Sequence, residues 1–296
     1  MKKSKIGYMR NVGDSKIFDW INRAVLVIIA IVIIVPIWNI VVSSFSSSKS
    51  LAEGGFIFWP KEISFENYKA VLNDITIWKA FLISILKTLI GVVTHVLFCS
   101  MVAYGLSKRD LVGRKLYTAM GVITLFFSGG MIPTYLLMKD LNLLNSFWIY
   151  IIPQLLSYYD VVILMNFFRQ VPGSLEESAN IDGAGAWRIF FRIILPLSKP
   201  ALATIALFNG VYQWNDFMTA KLYITDKFLY PVQMKLYEII VQQSAQTMVS
   251  ANVVLDTTTK GIQLATIVVT TVPIIIAYPL LQKHFVSGMM LGAVKE

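Results

Sequence analysis

The chain has 296 residues, 56% of them hydrophobic and only 15% charged, with a net charge of +9, one cysteine and two histidines. Soluble domains carry about 25% charged residues, so this balance excludes an ordinary water-soluble fold and points to a polytopic membrane protein. A lone Cys99 allows no intrachain disulfide, and His95 and His284 are too few for a histidine-rich metal centre or a Cys/His catalytic pair.

Crossing a bilayer as a helix takes roughly 20 apolar residues, and six stretches meet that length. The first, Ala24 to Val42, follows a basic segment but is too long for a signal-peptide core and lacks a clean cleavage site, so it reads as a retained anchor. The second and third are Thr88 to Leu106 and Leu116 to Leu137. The fourth, Phe147 to Phe168, carries Asp160 and Asn166; the fifth, Ala201 to Met218, carries Asn209; the sixth is Ile262 to Leu281.

Basic residues set the orientation, because Lys and Arg favour the cytoplasmic side. With the N-terminus inside, Arg10, Arg23, Arg109, Arg114, Arg169, Arg188 and Arg192 all fall in inner segments. The positive excess is therefore topological, and the expected partner is a lipid bilayer with no nucleic acid. The expected fold is all-α, with six transmembrane helices and both termini inside. Residues 1–23 form a cytoplasmic segment and 24–296 one membrane domain. Two longer segments face outward, about residues 43–87 and 219–260; the second has room for a short amphipathic helix.

One inner passage is unlike the rest. Glu176 to Pro196 reads EESANIDGAGAWRIFFRIILP, a charged, helix-forming island between apolar runs. Pro172 and Gly173 stop the fourth span, and Ser174 with Glu177 three residues on suggests a capping box. Glu176 and Glu177 lie in the first turn, where the helix dipole favours acids. Gly183 and Gly185 break this helix in a tight turn. A second helix follows over about Ala186 to Leu195, with Trp187, Phe190, Phe191 and Ile194 as an apolar stripe and Arg188 and Arg192 on another face. Pro196 ends it. A hairpin lying on the membrane surface accounts for the second helix. Anionic lipid would repel Glu176, Glu177 and Asp182, however, and a socket on another protein accounts for both helices.

The passage resembles the coupling loop of binding-protein-dependent ABC importer permeases. Their signature reads E-A-A, three residues, G, nine residues, I-x-L-P. Glu177, Ser178, Ala179, Gly183, Ile193, Leu195 and Pro196 match that spacing, with Ser178 in place of the usual alanine. The extended form E-E-x-A-x-I-D-G-A of sugar importers is present at Glu176 to Ala184. Two further segments are similar to the carbohydrate branch, which includes the maltose-type permeases: W-N-D-F at Trp214 to Phe217, and the tail Tyr278 to Val294.

The resemblance implies a permease subunit in the cell membrane that forms half of a path for an oligosaccharide. Its partners would be a second homologous permease, a pair of ATP-binding subunits and an extracytoplasmic sugar-binding protein. The chain has no Gly-Lys pair and so no phosphate-cradling P-loop. ATP and magnesium would therefore sit on the partner ATPase, with no cofactor, metal or catalytic residue on this subunit. The loop of about residues 172–199 would meet the ATPase through Glu176, Glu177, Ala179, Asp182, Gly183, Ala184, Trp187 and Arg188. Glu177 and Gly183 would hold its shape, and the second helix would pack beneath the spans.

Polar side chains within spans are functional hypotheses by default. Tyr158, Tyr159, Asp160, Asn209, Gln213, Trp214 and Asn215 offer the aromatic faces, carboxylate and amides that sugars use, and are candidates for the substrate path. Asp160 has a competing reading as an interfacial or ion-paired residue. Asn215 and Asp216 have one as braces for the end of the fifth span. His95 is expected to bond a helix neighbour, and Lys87 to snorkel to the outer surface. The alternatives are the same machinery importing a non-sugar solute and an ion-coupled secondary transporter. The second would show inverted repeats and matching broken helices, which the sequence does not display.

Overall fold

The structure is a computed structural model, described over residues 16–249 and 260–276. The tail Tyr278 to Val294, His284 and the end of the sixth apolar run lie outside the described residues. Among those described, every regular element is helical, apart from one isolated antiparallel bridge, Ser46 to Ile63. The chain up to Tyr68 groups with residues 260–268 as one compact unit, and Lys69 to residue 249 with 269–276 as a second.

In the first unit, α1 (Lys16–Ser44) is apolar on all sides and almost entirely exposed; its last residues, Val42, Ser43 and Ser44, are buried. A helix greasy all round has lipid or another apolar surface as its natural surroundings. The following segment carries α2 (Ser48–Ala52) and folds back onto the end of α1. Trp38 Nε1 donates to the Phe58 carbonyl at 2.9 Å, Asn39 Nδ2 to Ile57 at 3.0 Å, and the Ser44 and Tyr68 hydroxyls meet at 2.7 Å. Asn67, in α3 (Glu66–Asn73), donates to the Ser44 and Ser46 carbonyls.

The second unit is organised around α4 (Ile75–Ser107), 33 residues capped by Asp74. It begins thirteen residues before the apolar run that announced it, because the stretch up to Lys87 continues the helix with Ile77, Ala80, Ser84 and Lys87 on one buried face. Lys87 is accordingly fully buried, where snorkelling was expected.

The third apolar run is not one straight helix. It divides into α5 (Arg114–Phe126) and α6 (Met131–Asp140), which meet at 119°. The break falls at Gly129 and Gly130, the latter with φ +85°, a left-handed backbone that glycine adopts freely. The fourth run is also bent. Two 3₁₀ turns, Phe147–Tyr150 and Ile152–Gln154, meet α7 (Tyr158–Phe168) at 49°, with Pro153 in the second turn and Ser157 capping the helix.

A hairpin follows: α8 (Gly173–Ile181), then α9 (Ala186–Ile189), a π-helical turn (Phe190–Ile194) and α10 (Leu195–Leu197) as one continuous rod. The rod turns through 80° into α11 (Lys199–Asn215). Pro196 does not end the second helix as expected. A proline ring clashes with the carbonyl four residues back, and the wider π turn beside it accommodates the clash, so the helix runs on to Leu197. The fifth run ends at Asn215, short of Met218, and α12 (Met218–Tyr223) is a separate piece. The second outer segment holds α13 (Val232–Val249), longer than the short helix expected there, and the last described helix is α14 (Lys260–Ile276).

Among the described residues two helices are long and apolar enough to cross a membrane, Phe18–Ser44 and Ile75–Ser107. Three bent pairs qualify when each is taken as one span. Helix α4 packs most extensively on α7 and α11. One core lies toward its Lys108 end, joining Cys99, Ala103 and Leu106 to Leu164 and Phe168 of α7 and to Phe190 and Ile194 of the hairpin. A second core gathers Met138, Ile149, Tyr150, Ala220, Tyr230 and Met234.

Candidate functional site: the hairpin and the helix that holds it

The hairpin forms because its sequence alternates stops and starts. Pro172 stands extended (ψ 125°) and opens α8 at Gly173 without a side-chain cap. Ser174 is therefore inside the first turn, and the expected capping box is not formed. Helix α8 closes when Gly183 adopts φ +75°, and the Ala184 N–H returns to the Ala179 carbonyl at 2.9 Å. This is the reversal that the glycine spacing predicted. Gly185 is extended (φ −70°) and leads into α9.

The rod's inner face is Ile189, Phe190 and Ile194, each nearly sealed from solvent. This corrects the sequence stripe by a rotation. Phe190 and Ile194 are on it, but Trp187 (65% exposed) and Phe191 (50%) stack on each other outside, and Ile189 replaces them within. The π turn carries more residues per revolution than 3.6 and shifts the stripe. Phe190 meets the ring of Tyr104 on α4 at 5.2 Å.

Helix α8 has no buried residue of its own. Its polar tie is an ion pair between Glu176 and Lys108, the residue that ends α4. The same ammonium lies 4.2 Å from the centroid of the Tyr104 ring. Burial opposes the charge on Lys108, but the Glu176 carboxylate and Tyr104 outweigh it, and its pKa stands above the ordinary lysine value. Lys108 was not a sequence candidate; the two partners are 68 residues apart and nothing local pairs them.

The other hairpin candidates face outward. Glu177, Asp182, Gly183, Trp187 and Arg188 are exposed, and Ala179 and Ala184 half-buried. Glu177 makes no described hydrogen bond or ion pair, so the internal tie of the loop is Glu176. Ile181 (86% exposed) and Val112 (89%) add apolar surface beside them. Nearby, burial and the charges of Arg114 and Arg109 lower the pKa of Arg169, so three guanidiniums gather near this end of α4.

The substrate-path candidates separate into two sets. Tyr159 is exposed (65%) and Asp160 partly so, whereas Tyr158, Asn209, Gln213 and Trp214 are packed away. The Tyr158 hydroxyl donates to the Thr118 carbonyl at 3.2 Å, and its ring fills the space over Gly121. Gln213 Nε2 donates to the Tyr150 carbonyl at 3.1 Å, and Trp214 Nε1 to the Thr270 carbonyl at 3.2 Å. Asn209 Oδ1 is buried without a described partner. Asn215 is exposed and returns its amide to the Val211 carbonyl of its own helix.

Asp160 is tied to His95, whose Nε2 lies 3.0 Å from Asp160 Oδ2 and whose Nδ1 lies 2.6 Å from the Gln154 carbonyl. A carbonyl only accepts, so Nδ1 carries a hydrogen, and a further proton is shared between Nε2 and the carboxyl. His95 keeps the contact with a helix neighbour that was expected, Cys99 Sγ at 3.7 Å from Nε2, and adds these two closer partners from the fourth apolar run. Asp216 is the brace that the sequence offered as its alternative role. Its carbonyl and Oδ2 receive Lys87 Nζ at 2.8 and 3.4 Å, and Oδ1 caps Thr219. No group of three or more His, Cys, Asp or Glu suited to a metal ion occurs among the described residues.

Known proteins resemble this chain over nearly its whole length. Residues 6–291 match the family described as binding-protein-dependent transport system inner membrane component. The chain is 40% identical over 283 residues to the polygalacturonan/rhamnogalacturonan transport system permease protein YtcP of Bacillus subtilis (strain 168), covering 95% of this chain and 99% of that one. It is 28% identical over 286 residues to the arabinooligosaccharides transport system permease protein AraQ of Halalkalibacterium halodurans, covering 95% and 98%. A solved structure of a bacterial ABC transporter involved in the import of the acidic polysaccharide alginate superposes with a TM-score of 0.83 at 32% identity, over 94% of this chain and 100% of the other.

Proposed function

The chain belongs to the binding-protein-dependent transport system inner membrane component family, and from that premise we propose that it is the permease subunit of an ATP-driven importer of oligosaccharides. The observation that carries the reading is the hairpin. It presents Glu177, Asp182, Trp187 and Arg188 outward on a rod whose other face is locked into the membrane helices through Phe190 and Ile194. A surface so shaped, charged at its rim and apolar at Trp187 and Ile181, suits a cleft on another protein.

That protein is a pair of ATP-binding subunits, which hold the ATP and magnesium. Closure of the pair displaces the hairpin, and the rigid rod passes the displacement to α4, α7 and α11. A second, homologous permease completes the path, and an extracytoplasmic sugar-binding protein delivers the solute. We read the hairpin as cytoplasmic and both termini as inside, with six spans in all, a reading supported by the distribution of basic residues and by the arginines near the Lys108 end. The membrane is then the cell membrane.

The solute is an oligosaccharide derived from a larger polysaccharide, in keeping with relatives named for polygalacturonan, arabinooligosaccharides and alginate. Tyr159, exposed, and Asp160, partly so, are the α7 members of the candidate set that we assign to meet it. The test is co-expression with the neighbouring genes, purification in mild detergent and reconstitution with the binding protein. An ATPase and a second permease should stay attached, and labelled oligogalacturonide should enter vesicles only with ATP. A protein that stays alone and transports on an ion gradient would overturn the proposal.

A further inference from the structure

Helix α4 is a single rod without proline, and it carries three lateral ties to three different elements. Lys87 holds Asp216, at the joint between α11 and α12. His95 holds Asp160 on α7. Lys108 holds Glu176 on α8. At 1.5 Å per residue the first and last ties are about 30 Å apart along the axis, the hydrocarbon thickness of a bilayer.

The Lys108 tie differs from the hydrophobic seat of the second hairpin helix. Phe190 and Ile194 are buried in a core shared by α4, α7 and α11, so they fix that helix to the bundle as a whole. Helix α8 buries nothing, and Ala179 is its half-buried contact with the same core. Glu176 therefore gives α8 a partner on α4 alone. Lys108 also joins the two arms of the hairpin, because the Tyr104 ring beneath its ammonium is the ring against which Phe190 packs. An ammonium set between a carboxylate and an aromatic face is held on two sides, which gives a directional link where packing alone gives a sliding one.

We propose that Lys108 is a positioning residue for energy coupling: it makes α8 and α4 move as one body, so that displacement of the hairpin reaches the His95–Asp160 and Lys87–Asp216 ties. The inference rests on the coupling role proposed above and adds a residue outside the loop itself.

The test uses the full transporter in vesicles, with uptake and ATP hydrolysis measured together at matched membrane abundance. Lys108→Gln should lower uptake per ATP hydrolysed by at least about fivefold, the lower end of typical coupling between sites, while the ATPase stays attached. Lys108→Arg should keep the parental ratio. Glu176→Gln breaks the same pair from the other side and carries the test if Lys108→Gln does not accumulate. The double exchange Lys108→Glu with Glu176→Lys should recover most of the ratio. An ATPase that remains bound, with a parental ratio in Lys108→Gln and Glu176→Gln, refutes the role of Lys108 and leaves the coupling loop standing. So does a double exchange no better than the worse single variant. Loss of the ATPase from the parent complex would instead defeat the coupling reading.

Discussion

Replacing either partner of the Lys87–Asp216 pair probes whether α4 is locked to the end of α11. The Lys87 side chain is 0% exposed and that of Asp216 9%, so the lysine has no water to fall back on and the aspartate has little. Lys87 Nζ is held by the Asp216 carbonyl and carboxylate and lies 4.8 Å from the centroid of the Tyr150 ring. Asp216→Asn leaves the main-chain carbonyl and the ring but removes the counter-charge. An uncompensated buried charge costs about 3–5 kcal/mol, and the remaining contacts place this variant near the lower end. Lys87→Met leaves the charge on Asp216, which still caps Thr219 and retains some access to water, so it should cost less, about 2 kcal/mol. The double variant removes both charges and should be more stable than Asp216→Asn alone, with a coupling energy within the usual 0.5–3 kcal/mol or so for residues in contact. At about 2–4 °C per kcal/mol for a chain of this size, Asp216→Asn should lower the melting temperature of the purified complex by about 6–12 °C. Thermal unfolding in detergent, followed by tryptophan fluorescence, reads the shift. Single variants within about a degree of the parent, or effects that simply add in the double, would refute the lock.

Other expectations can be checked on the same preparations. Gly183→Asp should insert and accumulate, since a Cβ there meets nothing within 4 Å, but the φ of +75° costs about 1–2 kcal/mol and deforms the turn; hydrolysis should persist while uptake fails, and normal uptake would defeat the coupling role of the loop. Gly121→Ala would place its Cβ 2.0 Å from the Tyr158 ring, so it should cost about 1–3 kcal/mol of thermal stability by forcing α5 from α7; an unchanged melting temperature would show that the helices do not approach this closely. Asp160→Asn should weaken uptake mainly through a raised KM for the sugar if the carboxylate meets substrate, whereas equal loss of stability and rate would make the His95 pair purely structural. The Lys108 tie has a definite pH sign. Its folded pKa lies above the reference 10.5, so its contribution is full at and below that value and is lost as pH rises through the higher folded one. The lysine side of the tie should therefore leave the coupling ratio flat between about pH 7 and 9, and a decline across that window in the parent that Lys108→Arg abolishes would contradict the shift.

Composition and residue order are enough to establish the material and its punctuation. Apolar runs of bilayer length, with arginines confined to alternate segments, made the chain a membrane protein, and this needed only composition and order. The hairpin was legible for a similar reason. Pro172, Gly183 and the charged residues around them act within a few positions, where backbone conformation is local. Gly183 turns where its spacing said it would; Ser174 does not cap because Pro172 opens the helix before it. What depends on residues far apart is visible only once the helices are packed. Lys87 looked like a snorkelling lysine until Asp216, 129 residues later, was found beside it. His95 has the neighbour Cys99 on its own helix, but the partners that close on its two nitrogens, Gln154 and Asp160, are 59 and 65 residues away. The same holds for the buried stripe of the second hairpin helix, which a π turn before Pro196 rotates away from the 3.6-residue pattern. Periodicity records which residues avoid water. It does not record which distant partner replaces the water, and in this chain those partners hold α4 at Lys87, at His95 and at its Lys108 end.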